Sequence, residues 1–180
     1  MIATPVDAAW LAKQSMIKQI SDHAVKSLPG FWRIAKACMD GKYRKREPSN
    51  SPSSRRSPSA PRSMALEIIR CYTGTLSQYF TLSDAAIAEA QARKEGEDQP
   101  VPPFVPAGTT IIAASHWVEK IVEEVSECTA DLGMVDIGSE AVTILKGMMD
   151  SLRWRFEEVL AATWTRGMLF ASQKSCVSSR

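Results

Sequence analysis

Apolar residues recur along this chain at alternating spacings of three and four, the period of a helix with one buried face. Thr4-Pro5 opens a first helix, a capping threonine followed by proline at the first helical position, with Asp7 in the first turn. Ile17, Ile20 and Ala24 share its face. Leu28-Pro29-Gly30 reads as a break, followed by a short helix from Phe31 to Asp40 that stops at Gly41. A further helix is predicted from about Ser63 to Phe80, where Ala65, Ile69, Tyr72, Leu76 and Tyr79 line one side. Ser83-Asp84 caps a weaker, alanine-rich extension toward Lys94. Two longer helices follow. Ile111, Ala114, Val118, Ile121, Val125, Cys128 and Leu132 mark the first, and Val142, Leu145, Met149, Leu152, Phe156 and Val159 the second. A parallel row of Ile144, Met148, Leu152, Phe156, Leu160 and Trp164 widens the last face beyond a narrow coiled-coil seam.

The pattern predicts an all-α, elongated helical bundle over residues 4–166, interrupted by two long disordered loops and followed by a disordered tail at 167–180. The first loop, residues 42–62, holds Pro48, Pro52, Pro58 and Pro61 among serines, too little apolar surface to offset its ordering entropy. The second, residues 96–108, is acidic and then proline-rich. Neither strand signals nor a hairpin turn nor a repeat of solenoid length is present in the pattern.

Charge changes the picture only locally. The chain carries +2 overall, too little to imply nucleic acid. Between Gly41 and Ser63, however, Lys42, Arg44, Lys45, Arg46, Arg55, Arg56 and Arg62 face Glu47 alone, so this loop holds +6 and the remainder −4. The cysteines Cys38, Cys71, Cys128 and Cys176 are far apart and have no zinc spacing, which favours reduced thiols; Cys71 and Cys128 are expected in the core. Without an opening signal sequence or a membrane-length apolar run, the expected location is the cytoplasm.

Candidate chemistry is sparse. His116 lies off the apolar stripe and has no nucleophile or carboxylate motif beside it. Glu119, Glu123, Glu124 and Glu127 read as a solvated face rather than a metal cluster. Glycine-rich phosphate loops and the nucleophile elbow are absent from the sequence. The expectation is no enzyme, no cofactor, no metal and no small-molecule substrate. Trp154 is an aromatic off the stripe between Arg153 and Arg155. Either it packs against another part of the same chain or it faces a partner; this composition is enriched at protein interfaces, so these three are candidate partner-binding residues. In the basic loop, Ser51-Pro52 and Ser57-Pro58 are candidate phosphorylation sites. Lys42, Arg44, Lys45 and Arg46 are candidates for weak contact with an anionic membrane.

The segment Leu28-Pro-Gly-Phe-Trp-Arg-Ile-Ala-Lys, with Met39-Asp-Gly-Lys-Tyr-Arg-Lys after it, resembles the exocyst subunit called Sec-five, fungal forms above all. The resemblance continues through Met64-Ala-Leu-Glu-Ile-Ile, Leu76-Ser-Gln-Tyr-Phe-Thr-Leu-Ser-Asp, Pro103-Phe-Val-Pro and Ser151-Leu-Arg-Trp-Arg-Phe-Glu-Glu-Val-Leu to Trp164, covering most of residues 15–166 and ending after Trp164-Thr-Arg. It implies part of a helical rod of the tethering-complex class, an internal piece of a longer subunit. It implies a non-enzymatic role in exocytosis, with sibling exocyst subunits as partners and a peripheral position at plasma-membrane sites of secretion. The animal family's immunoglobulin-like, GTPase-binding domain has no counterpart in these residues. The other readings are a stand-alone helical adaptor, whose basic loop meets anionic lipid or a regulatory kinase, and a self-associating coiled coil.

Overall fold

The computed structural model describes residues 4–40, 42, 59–83, 85 and 101–177, with side chains as far as Met168. Its helices are α1 (Pro5–Met39), α2 (Ser59–Phe80), α3 (Ile111–Gly133) and α4 (Ser139–Val177), and the described residues contain no strand. The fold is an all-α helical bundle, as the periodicity predicts.

The stripes locate the core. Ile17, Leu28, Ile69, Leu76, Ile121, Val125, Leu132, Leu152, Phe156 and Val159 are all buried along it. Helix α1 packs on α2 and α3, and α4 packs on the same two, so α1 and α4 lie across one diagonal and α2 and α3 across the other. Cross-helix bonds fix the directions. Along α1 and α3, Trp10 meets Thr109, Lys18 meets Glu124 and Lys36 meets Asp136, so these neighbours run parallel. Arg70 meets Glu140 and Arg155 meets Phe80, so α2 and α4 are also parallel. Lys13 with Tyr79, and Ser21 with Tyr72, make α1 and α2 antiparallel. The chain is therefore two antiparallel hairpins, α1/α2 and α3/α4, joined by a connection that crosses the end of the bundle diagonally.

That crossing is visible in residues 101–110. They form the loop expected there, yet Phe104 and Val105 are buried under it. Phe104 stands edge-on to Phe80 at 5.1 Å and to Phe156 at 6.0 Å, and Phe80 meets Phe156 at 5.2 Å. Three rings from the connection, α2 and α4 thus close one end of the bundle, and edge-to-face rings add a favourable quadrupolar contact to their burial.

Three boundaries and one burial differ from the sequence reading. Helix α1 does not break at Leu28-Pro29-Gly30 but continues to Met39 with Pro29 inside it. Proline removes one backbone bond, here to the Val25 carbonyl, at a cost of about 3 kcal/mol. Leu28, fully buried, and Ala24 and Ala35 on either side hold both halves to the same core and outweigh that cost. Helix α2 begins at Ser59 rather than about Ser63, because Pro61 falls in the first turn, where a missing N–H is no loss. Arg62 is therefore part of a helix and not of the basic loop. The tail expected at 167–180 is helical backbone as far as Val177. Residues 160–177 contain no proline and many good helix formers, and Gly167 alone costs only about 1 kcal/mol. Finally, Cys71 is exposed while its neighbour Tyr72 is buried, since consecutive helical residues point about 100° apart.

Candidate interaction surfaces

Helix starts are well determined. Thr4 and Asp7 form a reciprocal capping box, and the carboxylate of Asp7 also accepts the Trp117 indole N–H at 3.4 Å. The Thr4 hydroxyl, then Trp117, hold the Asp7 carboxyl below its usual range. Thr110 caps α3 by accepting the Ala113 N–H. Trp10 is fully buried, and its indole N–H donates to the Thr109 hydroxyl at 3.2 Å.

Polar groups inside the bundle are few and mostly paired, the buried Trp32 indole N–H being one without a partner among the described residues. Ser21 and Tyr72 share a hydrogen bond of 3.1 Å, and the Cys128 thiol lies 3.7 Å from the Ser21 carbonyl oxygen. Burial pushes both the Tyr72 hydroxyl and the Cys128 thiol upward. A thiol held protonated in this way is a poor nucleophile. Arg155 donates to the Phe80 carbonyl oxygen and to Glu158, both contacts inside the fold. Lys18, raised by its hydrogen bond to Glu124, ties α1 to α3. These groups build and align the bundle. The described residues contain no cluster of three or more metal-ligating side chains.

The outer surface is less settled. Exposed apolar side chains include Val142, Trp164 and Met168 on α4, with Ile112 and Met134 at the ends of α3. Trp164, which the sequence pattern places on the widened apolar row, is 60% exposed, because α4 outruns the start of α3 there. A cleft of about 690 Å³ lies at this end, between the turn at 101–111 and Thr163, Arg166 and Gly167 of α4. A shallower groove between α3 and α4 runs past Ala130, Gly133, Val142, Lys146 and Arg153.

The three partner-binding candidates separate here. Arg153 is exposed on the α3/α4 groove and Trp154 is half-buried. Arg155 is 6% exposed, so it is not a surface residue; the end of α2 offers it a carbonyl oxygen, and Glu158 offers it a carboxylate. Glu124 is likewise drawn out of the acidic face by Lys18, while Glu119, Glu123 and Glu127 stay exposed, as does His116. Lys42 is exposed; Arg44, Lys45, Arg46, Ser51 and Ser57 lie outside the described residues.

A family model for Exocyst complex component Sec5 matches residues 3–171. The chain belongs to the Sec5 family. That match begins before α1, takes in the first three helices of the Sec5 bundle and ends within α4 at residue 171, past Trp164-Thr-Arg, where the sequence resemblance stops. No curated protein and no solved structure matches this Sec5 chain. Sec5 proteins are non-enzymatic components of the exocyst, the complex that tethers vesicles for exocytosis. No helix in the described part of this Sec5 chain is long and apolar enough to cross a membrane.

The surface features that sequence reasoning missed are the cleft and its Arg166. A signal for the first existed in Pro102, Pro103 and Pro106, which stiffen a turn before α3. Nothing local announces that α4 passes beside it.

Proposed function

We propose that this chain acts by assembling with sibling exocyst subunits through the outer faces of its helices, and so helps to hold secretory vesicles at the plasma membrane. The reading rests on the family match over residues 3–171. It is supported by the apolar side chains that the fold leaves outside: Trp164 and Met168 on α4, with Val142, Arg153 and half-buried Trp154 on the same helix. Exposed apolar side chains with arginine are the composition of protein interfaces, and further ones stand outside on α1, at Leu11 and Ile34, and on α2, at Met64. A cytoplasmic protein recruited to the membrane by its partners fits this role.

The test is isolation of the tagged chain from its host at native level, with co-purifying proteins identified by mass spectrometry. Recovery of the other exocyst subunits supports assembly. A well-expressed chain that recovers none of them overturns it.

A further inference from the structure

The cleft at the end of the bundle has an unusual balance of chemistry. Its walls are Val101, Pro102, Pro103, Val105, Pro106 and Ile111, apolar almost throughout. The prolines fix their own backbone angles, and the Val105 and Thr109 amides donate back to Pro102 and Pro106 at 2.9 and 3.2 Å. The walls are thus set before anything binds, which lowers the entropic cost of binding.

The polar groups in the lining are nearly all committed. The Thr109 hydroxyl donates to Pro106 and accepts from Trp10, the Thr110 hydroxyl caps α3, and Thr163 donates to carbonyl oxygens of its own helix. Arg166 remains. It is exposed and, among the described residues, it is the one charged residue in the lining, with no carboxylate beside it. Among the described residues it forms neither an ion pair nor a hydrogen bond. Its fork of donors matches a carboxylate in two-point geometry.

We infer that this cleft receives a peptide segment of a sibling subunit in which an acidic residue stands beside an apolar one, the carboxylate on Arg166 and the apolar side chain among Pro102, Val105 and Ile111. The inference rests on the assembly reading above and names one contact within it. Gly167 gives a direct way to block the site. A Cβ added there meets nothing within 4 Å, so Gly167→Phe has room to start a side chain that crowds the cleft it lines.

Short overlapping peptides covering the other exocyst subunits are the probe, tested against the full chain by fluorescence anisotropy. The expected result is that the bound peptides share an acidic residue next to an apolar one. Their affinity falls at least about tenfold for Arg166→Glu and for Gly167→Phe, and falls less for Arg166→Lys, which keeps the charge but loses the two-point fork. Circular dichroism confirms that each variant keeps its helix content. The proposal is overturned if no peptide binds, or if bound peptides ignore both Arg166→Glu and Gly167→Phe. Binding of phosphatidylserine vesicles, but of no peptide, in an Arg166-dependent way also overturns it and makes the cleft a lipid site. Co-purification of sibling subunits separates this outcome from the broader reading. Siblings recovered equally by wild type and both variants leave assembly standing and remove the cleft from it.

Discussion

Arg155 of α4 donates from Nε to the backbone oxygen of Phe80, the last residue of α2, across 3.2 Å. The final carbonyls of a helix have no partner within it, and a cation there is favoured by the helix dipole. Glu158 neutralises the same guanidinium, and the Phe80 ring packs on Phe104 and Phe156 beside it. A charge buried for this purpose cannot be trimmed without consequence. Arg155→Ala strands Glu158 and the Phe80 oxygen, and it is expected to cost about 3 kcal/mol. Arg155→Met with Glu158→Gln, which removes both charges, is expected to cost less. Urea unfolding of the single and double variants checks this.

Tyr72 and Cys128 make stability depend on alkaline pH. Burial raises both above their ordinary values of 10.0 and 9.0. The unfolded chain releases these protons first, so it binds fewer protons than the native state and stability falls as pH rises past the ordinary values. The urea midpoint is expected to drop from about pH 8 to about pH 10.5 more steeply in wild type than in Tyr72→Phe with Cys128→Ala. Equal slopes would show that the buried pair contributes nothing. At neutral pH, Tyr72→Phe alone is expected to cost about 1 kcal/mol through its lost bond to Ser21.

Two glycines respond in opposite directions. Gly138 sits at φ +134°, and a Cβ there would overlap the guanidinium of Arg62. Gly138→Ala is expected to destabilise by about 2 kcal/mol, most of it backbone strain, since Arg62 has a flexible tip. Gly147, exposed within α4 with open space around it, is expected to give about 0.5–1 kcal/mol of added stability as alanine. Thermal unfolding of the two variants side by side tests the contrast.

Pro29 is exposed, so its ring adds little to the core. Pro29→Ala restores a bond to the Val25 carbonyl and relieves the clash one turn back. The gain is partly offset by the freer unfolded chain, leaving about 1–2 kcal/mol of net stabilisation. A variant that unfolds earlier than wild type would mean that the proline shapes a bend the bundle requires.

Trp164 separates stability from assembly. At 60% exposure, Trp164→Ser is expected to change unfolding by no more than about 0.5 kcal/mol while reducing the recovery of sibling subunits. Unchanged recovery would place the interface elsewhere on the bundle.

Much of this architecture is legible in the chain itself. The apolar rows at three-and-four spacing name most core residues of α2, α3 and α4, although Val142 and Trp164 of the α4 rows are exposed, and the Thr4-Pro5 start of α1 is where its capping box forms. What fails locally fails for a physical reason. Pro29 is a strong breaker in isolation, but the residues before and after it face a common core. Cys71 and Tyr72 compete for one inward direction, and the larger apolar body takes it. Arg155 reads as a surface charge because its partner, the Phe80 oxygen, is 75 residues away. Periodicity states which side of a helix is buried and not which helix covers it, so neither the cleft nor the pairing of α1 with α3 is written in any single segment. The family resemblance, in contrast, was carried by local words such as Leu28-Pro-Gly-Phe-Trp and Ser151-Leu-Arg-Trp, and the family match extends it at both ends.

The diagonal crossing between α2 and α3 has a kinetic meaning. Within the α3/α4 hairpin, partners are joined by a handful of residues, so it closes rapidly and with little loss of chain entropy. Contacts of α1 with α3, and of α2 with α4, span far greater separations and form only when one hairpin meets the other. The α3/α4 hairpin is therefore expected to form first, with α1 and α2, whose mutual contacts also span long separations, joining it later and Phe104 the latch that records their meeting.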